Sequence, residues 1–171
     1  MVIACNTAHL FIADIERLLD HEPVSLIAAT KDFLVNDHLT TVGLLASPTT
    51  IMTKLFENAL AQVGIKVLVS NREAQKDIEV SIRRAIAGVI EARDEALLLS
   101  EAKKLQASGA QAVILGCTEL SLIADTMQPE TFTDPLNVVI EKIMFEKEPK
   151  GQNTRKRDKS VIIDIKGKYN D

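Results

Sequence analysis

The chain of 171 residues contains two cysteines, and both stand in the same kind of local setting. Cys5 follows the apolar residues of Val2-Ile3-Ala4-Cys5-Asn6-Thr7, and Cys117 those of Val113-Ile114-Leu115-Gly116-Cys117-Thr118. In each, a short apolar, β-prone run delivers the thiol to side chains able to cap a helix. A lone cysteine in a reduced protein is most often buried filler. The repeated strand-cysteine-helix setting argues otherwise, because ligands of parallel α/β folds bind beyond the carboxyl ends of the strands. A helix start favours an adjacent anion, which makes a thiolate cheaper there. The same amide donors, joined by Asn6, Thr7 and Thr118, suit a carboxylate. Two opposed thiols fit one chemistry well: inversion of a carbon acid, where a thiolate takes a proton from one face and a thiol returns one to the other. Hydrogen bonds to the substrate carboxylate would stabilise the developing carbanion.

Those thiols need elements to hold them. Residues 2–4 read as a strand, followed by an amphipathic helix carrying Leu10, Phe11, Ile15, Leu18 and Leu19. Residues 24–28 and 41–46 are further apolar runs read as strands. Ser47 as cap and Pro48 at the first helical position then start a helix running to about Leu60. Residues 65–70 give another strand. A long helical region, 73–107, is expected to break near Gly88 and to stop at Ser108-Gly109. Residues 112–116 form a buried strand ahead of Cys117, and a last helix is expected over 136–145. Continuously apolar strands alternating with helices indicate an α/β fold with parallel sheets covered on both faces.

Composition narrows the function further. A hydrophobic share of 46% is ample for a core, and no apolar run approaches the roughly 20 residues that cross a bilayer. Met1 leads into no basic region or cleavage site, so the expected compartment is the cytoplasm. A net charge of -4 gives no general electrostatic case for nucleic acid. Residues 147–168 nevertheless carry eight Lys/Arg against three Asp/Glu, and 147–171 read as a basic flexible tail in which 161–165 is a stray strand candidate. Nothing indicates a disulfide framework or a metal knuckle, and His21 and His38 are isolated.

The segments IACNTAH (3–9), VGLLASPTT (42–50) and GAQAVILGCTEL (109–120) together resemble the signature segments of the aspartate/glutamate racemase family, in order and in spacing. The resemblance implies two Rossmann-like parallel-sheet domains facing each other, one catalytic cysteine from each, and neither pyridoxal phosphate nor metal. Cys5 and Cys117 would be base and acid; Asn6, Thr7, Thr118 and Glu119 would bind substrate; Thr49 and Thr50 match the family's other anchoring loop. The expected substrate is an acidic amino acid, aspartate first, and the expected assembly a homodimer. Competing readings are an inactive, racemase-like fragment, hydantoin racemase or maleate isomerase chemistry, and a thiol redox module.

The chain also departs from the family. Members begin with a strand and a GGxGP-like turn several tens of residues before the CNTAH motif, whereas this chain starts inside that strand. The expectation is therefore an N-terminally truncated protein: residues 1–36 as the remainder of a first domain, 37–127 as the second, and 128–146 as a helix returning to the first. In IRRAIAG (82–88), a position where the family often carries lysine falls on Ile86. Arg83 or Arg84 would then bind a side-chain carboxylate, or simply be exposed helix charges. His9 is open between a structural role and proton transfer, and Glu119 between substrate contact, tuning of the thiol and a plain helix-dipole role.

Overall fold

A computed structural model of the chain describes residues 1–125, 127 and 132–146. The basic tail and its strand candidate lie outside those residues. A 3-10 turn, Thr7–Phe11, opens into α1 (Ile12–Leu18) and α2 (Leu26–Asn36). Then follow β1 (Thr41–Ala46), α3 (Pro48–Met52), α4 (Leu55–Ala61), β2 (Lys66–Val69), α5 (Arg72–Ile86) and α6 (Ala92–Ala107). The chain continues through β3 (Ala112–Gly116) and α7 (Thr118–Ala124) to α8 (Pro135–Glu146). The strands form one parallel sheet in the order β2-β1-β3, as the alternation of apolar runs and helices requires.

Both faces of that sheet are covered. On one, Leu45, Val113 and Leu115 pack against Ile78, Ile82 and Ala85 of α5, Leu98, Ala102 and Leu105 of α6, and Leu120 and Ile123 of α7. On the other, Val42, Leu44, Ala46 and Ile114 meet Ile27 and Leu34 of α2 and Phe56 and Leu60 of α4. Alternate residues of one strand therefore serve opposite cores. A smaller cluster joins Leu26, Ala29 and Val139, with Val2, Val24, Leu136 and Ile143 against it, so α8 packs on α2. Lys142 of α8 and Asp32 of α2 pair at 3.5 Å along the same seam.

Three expectations from the sequence are corrected. Residues 2–4 and 24–28 are not strands of a sheet: they meet only in a parallel bridge, Val2 to Val24, after which Ser25 caps α2 by accepting from the Ala28 amide. A five-residue apolar run carries too little periodicity to separate a strand from a helix start. The helix from Pro48 is interrupted at Lys54, which takes the left-handed conformation (φ 52°), so that α3 and α4 are separate. The helix from residue 12 buries none of its side chains, leaving Phe11 61% and Leu18 86% exposed.

The break between α5 and α6 is held by a charged knot. Gly88 turns at φ 74°, and Asp94, 0% exposed in the first turn of α6, accepts from Ser81 Oγ at 2.6 Å and from the Glu91 amide at 3.0 Å. Arg84 completes it, donating to both Asp94 carboxylate oxygens. Burial alone would raise the Asp94 carboxyl, but the donors from Arg84, Ser81 and Glu91 outweigh it and hold it at about 2. Arg83 pairs with Glu79 on the exposed side of the same helix. Removing the Asp94 carboxylate strands Arg84 and two further donors, so Asp94→Ala is expected to cost about 3 kcal/mol at neutral pH in a denaturant titration. Because the folded-state value lies below the ordinary carboxylate value of about 3.9, that contribution is present above about pH 4 and is lost as pH falls toward about 2. The gap between parent and variant should close across that window.

Candidate active site

The carboxyl ends of β1 and β3 lie side by side, Ala46 opposite Gly116, and each strand runs straight into a helix start. A Cβ on Gly116 would sit 2.7 Å from Ala46 Cβ and 2.7 Å from Leu44 Cδ1, so only glycine lets the strands approach this closely just before Cys117. Ser47 caps α3 by accepting from the Thr50 amide at 3.3 Å, with Pro48 at the first helical position, as its sequence predicts. The cap spacing brings Ser47 Oγ and Thr50 Oγ1 to 3.0 Å, and Thr50 Oγ1 also donates across to the Gly116 carbonyl at 3.4 Å. Ser47 was legible only as a cap; its place in this hydroxyl cluster follows from the same three-residue spacing.

The N-terminal segment comes down on that cluster. Thr7 Oγ1 lies 3.4 Å from Thr50 Oγ1. Asn6 is 2% exposed, yet neither its amide nitrogen nor its amide oxygen has a hydrogen-bond partner. A buried primary amide without partners costs free energy, which a ligand able to accept and donate would recover. Cys5 is exposed and its sulfur free. His9 fixes the backbone behind it. The Leu26 amide donates to His9 Nε2 at 3.0 Å, so Nδ1 carries the proton and donates to the Cys5 carbonyl at 2.8 Å. With both nitrogens engaged, His9 ties Cys5 to the start of α2; its role is structural.

Cys117 differs from Cys5. It is half-buried, and its thiol donates to Glu119 Oε2 at 2.9 Å, an oxygen that also accepts from Thr118 Oγ1 at 3.3 Å. Burial, then the Glu119 carboxylate, push the thiol up to about 12, and the nearby Cys5 adds to the effect. Where the sequence predicts a thiolate made cheaper by a helix start, desolvation and the Glu119 carboxylate here act in the opposite direction and outweigh the Glu119 backbone amide.

The remaining candidates separate. Thr50 is fully buried at the centre of the cluster, whereas Thr49 is exposed one residue away and contributes its carbonyl to Thr53 Oγ1 at 2.7 Å. Arg84 is consumed by Asp94 and Arg83 by Glu79, so neither stands ready for a substrate carboxylate. Among the described residues no group of three or more His, Cys, Asp or Glu side chains is arranged to hold a metal ion, and no helix is long and apolar enough to cross a membrane.

The sequence pattern of Asp/Glu/Hydantoin racemase matches residues 1–143, which takes in both cysteines, every element from the first turn to α7 and most of α8. The chain belongs to that racemase family. Among its relatives is an uncharacterized protein of Pectobacterium carotovorum subsp. carotovorum, 28% identical over 132 residues that make up 75% of this chain and 87% of that protein. The glutamate racemase of Shewanella woodyi is 28% identical over 129 residues, 75% of this chain but 47% of that enzyme. Among solved structures, an aspartate racemase homologue from Pyrococcus horikoshii OT3 superposes with a TM-score of 0.68 at 23% identity, covering 85% of this chain and 65% of its own. A likeness at that identity speaks for the fold, α/β with a parallel sheet. This racemase-family chain spans about half the length of the curated glutamate racemase it matches.

Thr50 is the knot that ties Ser47, Thr7 and the β3 end together. Thr50→Val keeps the shape and deletes the hydroxyl; a loss of about 1–2 kcal/mol is expected by thermal or denaturant unfolding, with Thr50→Ser closer to the parent.

Proposed function

We propose that the site carries out cofactor-independent inversion of the α-carbon of an acidic amino acid, aspartate first, with Cys5 and Cys117 as the two proton-transfer groups. The observation that carries this reading is the meeting of the Cys-Asn-Thr and Gly-Cys-Thr segments at one sheet edge, through the contact of Thr7 with Thr50 and of Thr50 with the Gly116 carbonyl. One thiol then serves each face of the α-carbon. The Asn6 amide, lacking any protein partner, and the Thr7 hydroxyl are suited to the substrate carboxylate, whose hydrogen bonds strengthen as carbanion charge spreads onto it; Thr50 and Thr118 would join them only by giving up their present acceptors, the Gly116 carbonyl and Glu119. Exposed Thr49 has the weakest claim to such a role. Family membership supports a racemase; the choice of aspartate over glutamate is this reading's own.

A second substrate class is favoured by one specific observation. Arg83 and Arg84 of α5 are both engaged in ion pairs, which leaves a distal carboxylate without those two partners and suits a substrate without one, such as a hydantoin. The exposed apolar side chains Leu10, Phe11 and Leu18 of the N-terminal segment also support a homodimer that covers them. A chain that elutes as a monomer in size-exclusion chromatography at micromolar concentration would count against that assembly.

The chemical test is proton exchange. Incubated in heavy water with L-aspartate and no added pyridoxal phosphate, the protein should replace the α-proton with deuterium and release D-aspartate. Cys5→Ala and Cys117→Ala should each lower the racemisation rate by roughly 10²–10⁴-fold. Exchange with a 5-substituted hydantoin but not with aspartate or glutamate would shift the substrate assignment. Exchange with none of them would sink the racemase reading for this chain.

A further inference from the structure

Glu119 turns back from the first turn of α7 toward the residue that caps it. Its Oε2 accepts from Cys117 Sγ at 2.9 Å and from Thr118 Oγ1 at 3.3 Å. A carboxylate oxygen can sit that close to sulfur only while the sulfur carries its proton, because an ionised thiol offers no donor and sets two negative charges against each other. Among the described residues Cys5 has no such partner: it is exposed, and what the protein holds is its backbone carbonyl, through His9 Nδ1.

We propose that Glu119 is a positioning residue that keeps Cys117 protonated in the resting site, so that Cys5 is the thiol available to start as base and Cys117 the one poised to donate. The proposal rests on the two-base reading above and gives it a direction. Among the described residues, burial first, then the Glu119 carboxylate from its own helix and Cys5 from the N-terminal segment, disfavour the ionised form of Cys117, and the Glu119 backbone amide opposes them. In the forward step the Cys5 thiolate takes the α-proton and the C–H electron pair passes into the carbanion. Cys117 then delivers its proton to the opposite face, and its S–H bonding pair stays on sulfur. The site is left with Cys5 protonated and a Cys117 thiolate beside the Glu119 carboxylate. Loss of a proton from Cys5 to water and uptake of one at Cys117 restore the resting arrangement.

The experiment reads the thiols directly, without requiring turnover. The full chain is alkylated with iodoacetamide from about pH 6 to about pH 11, and the Cys5 and Cys117 peptides are quantified by mass spectrometry, Cys5 serving as internal reference. In the parent, Cys117 should react only at markedly higher pH than Cys5. In Glu119→Gln, whose amide can donate to a thiolate, the Cys117 profile should move down by about one pH unit or more, a roughly tenfold faster reaction at fixed pH below the midpoint. Glu119→Asp, with a shorter arm, should move it in the same direction and stands in if the Gln variant fails to fold by circular dichroism. A Cys117 profile unmoved relative to Cys5 in a folded variant overturns the proposal. Failure of the racemase reading is separate: no α-proton exchange alongside a shifted profile leaves the thiol–carboxylate pair standing, and exchange with an unshifted profile removes only the pair.

Discussion

The parallel pairing of β1 with β3 is the constraint on which the rest of the structure depends. The two strands are central to both cores: Val42, Leu44 and Ala46 face α2 and α4, while Leu45, Val113 and Leu115 face α5, α6 and α7. Their register ends with Ala46 opposite Gly116, and the absence of a side chain on Gly116 allows that approach. One residue further along each strand the chain turns into a helix. The spacing between the Ser47–Thr50 cap and Cys117 is therefore a consequence of sheet geometry, and any change that parts the strands at Gly116 also moves the hydroxyl cluster away from the thiol.

The second dependence is on the N-terminal segment, which has little core of its own. Val2 makes a single bridge with Val24, and α1 buries no side chain. What fixes Cys5 is polar: His9 between the Cys5 carbonyl and the Leu26 amide, and the contact of Thr7 with Thr50. Such contacts are directional and contribute about 1 kcal/mol each. They specify where the thiol-bearing loop sits better than they stabilise it. A loop held mainly by a few hydrogen bonds belongs to the low-stability end of a fold, where ligand-binding elements are commonly found.

Much of this was legible from residue types. Ser47-Pro48 as a helix start, Gly88 as a break and Ser108-Gly109 as a stop are local signals whose physics acts within a few residues, and the structure follows them. The α/β class followed from continuously apolar strands alternating with helices. The family followed from three short segments kept in order. What misled was either too short or too remote. The run at 24–28 is shorter than two helical turns, and the interruption at Lys54 depends on backbone geometry that its sequence does not signal. The fate of Arg84 depends on Asp94, which is brought to it only by the turn between α5 and α6. The protonation state of Cys117 depends on burial against the core formed with α5, α6 and α7 as well as on its neighbour Glu119.

That last point bears on how a repeated motif should be read. The settings of Cys5 and Cys117 look alike as sequence, and a two-base inversion invites the picture of two equivalent thiols. The environments are not equivalent: one sulfur is exposed and free, the other half-buried against a carboxylate. Enantiomers of one substrate have equal free energy in water, so inversion has an equilibrium constant of one. The ratio kcat/KM must then be the same from either side, whatever the thiols prefer. An asymmetric pair is consequently free of thermodynamic penalty in the overall reaction. Its effect falls on how kcat and KM divide between the two enantiomers, since each enantiomer binds productively to a different protonation state of the pair. Unequal thiols are compatible with a reversible inversion, and the Cys117–Glu119 contact is where that inequality is built into this fold.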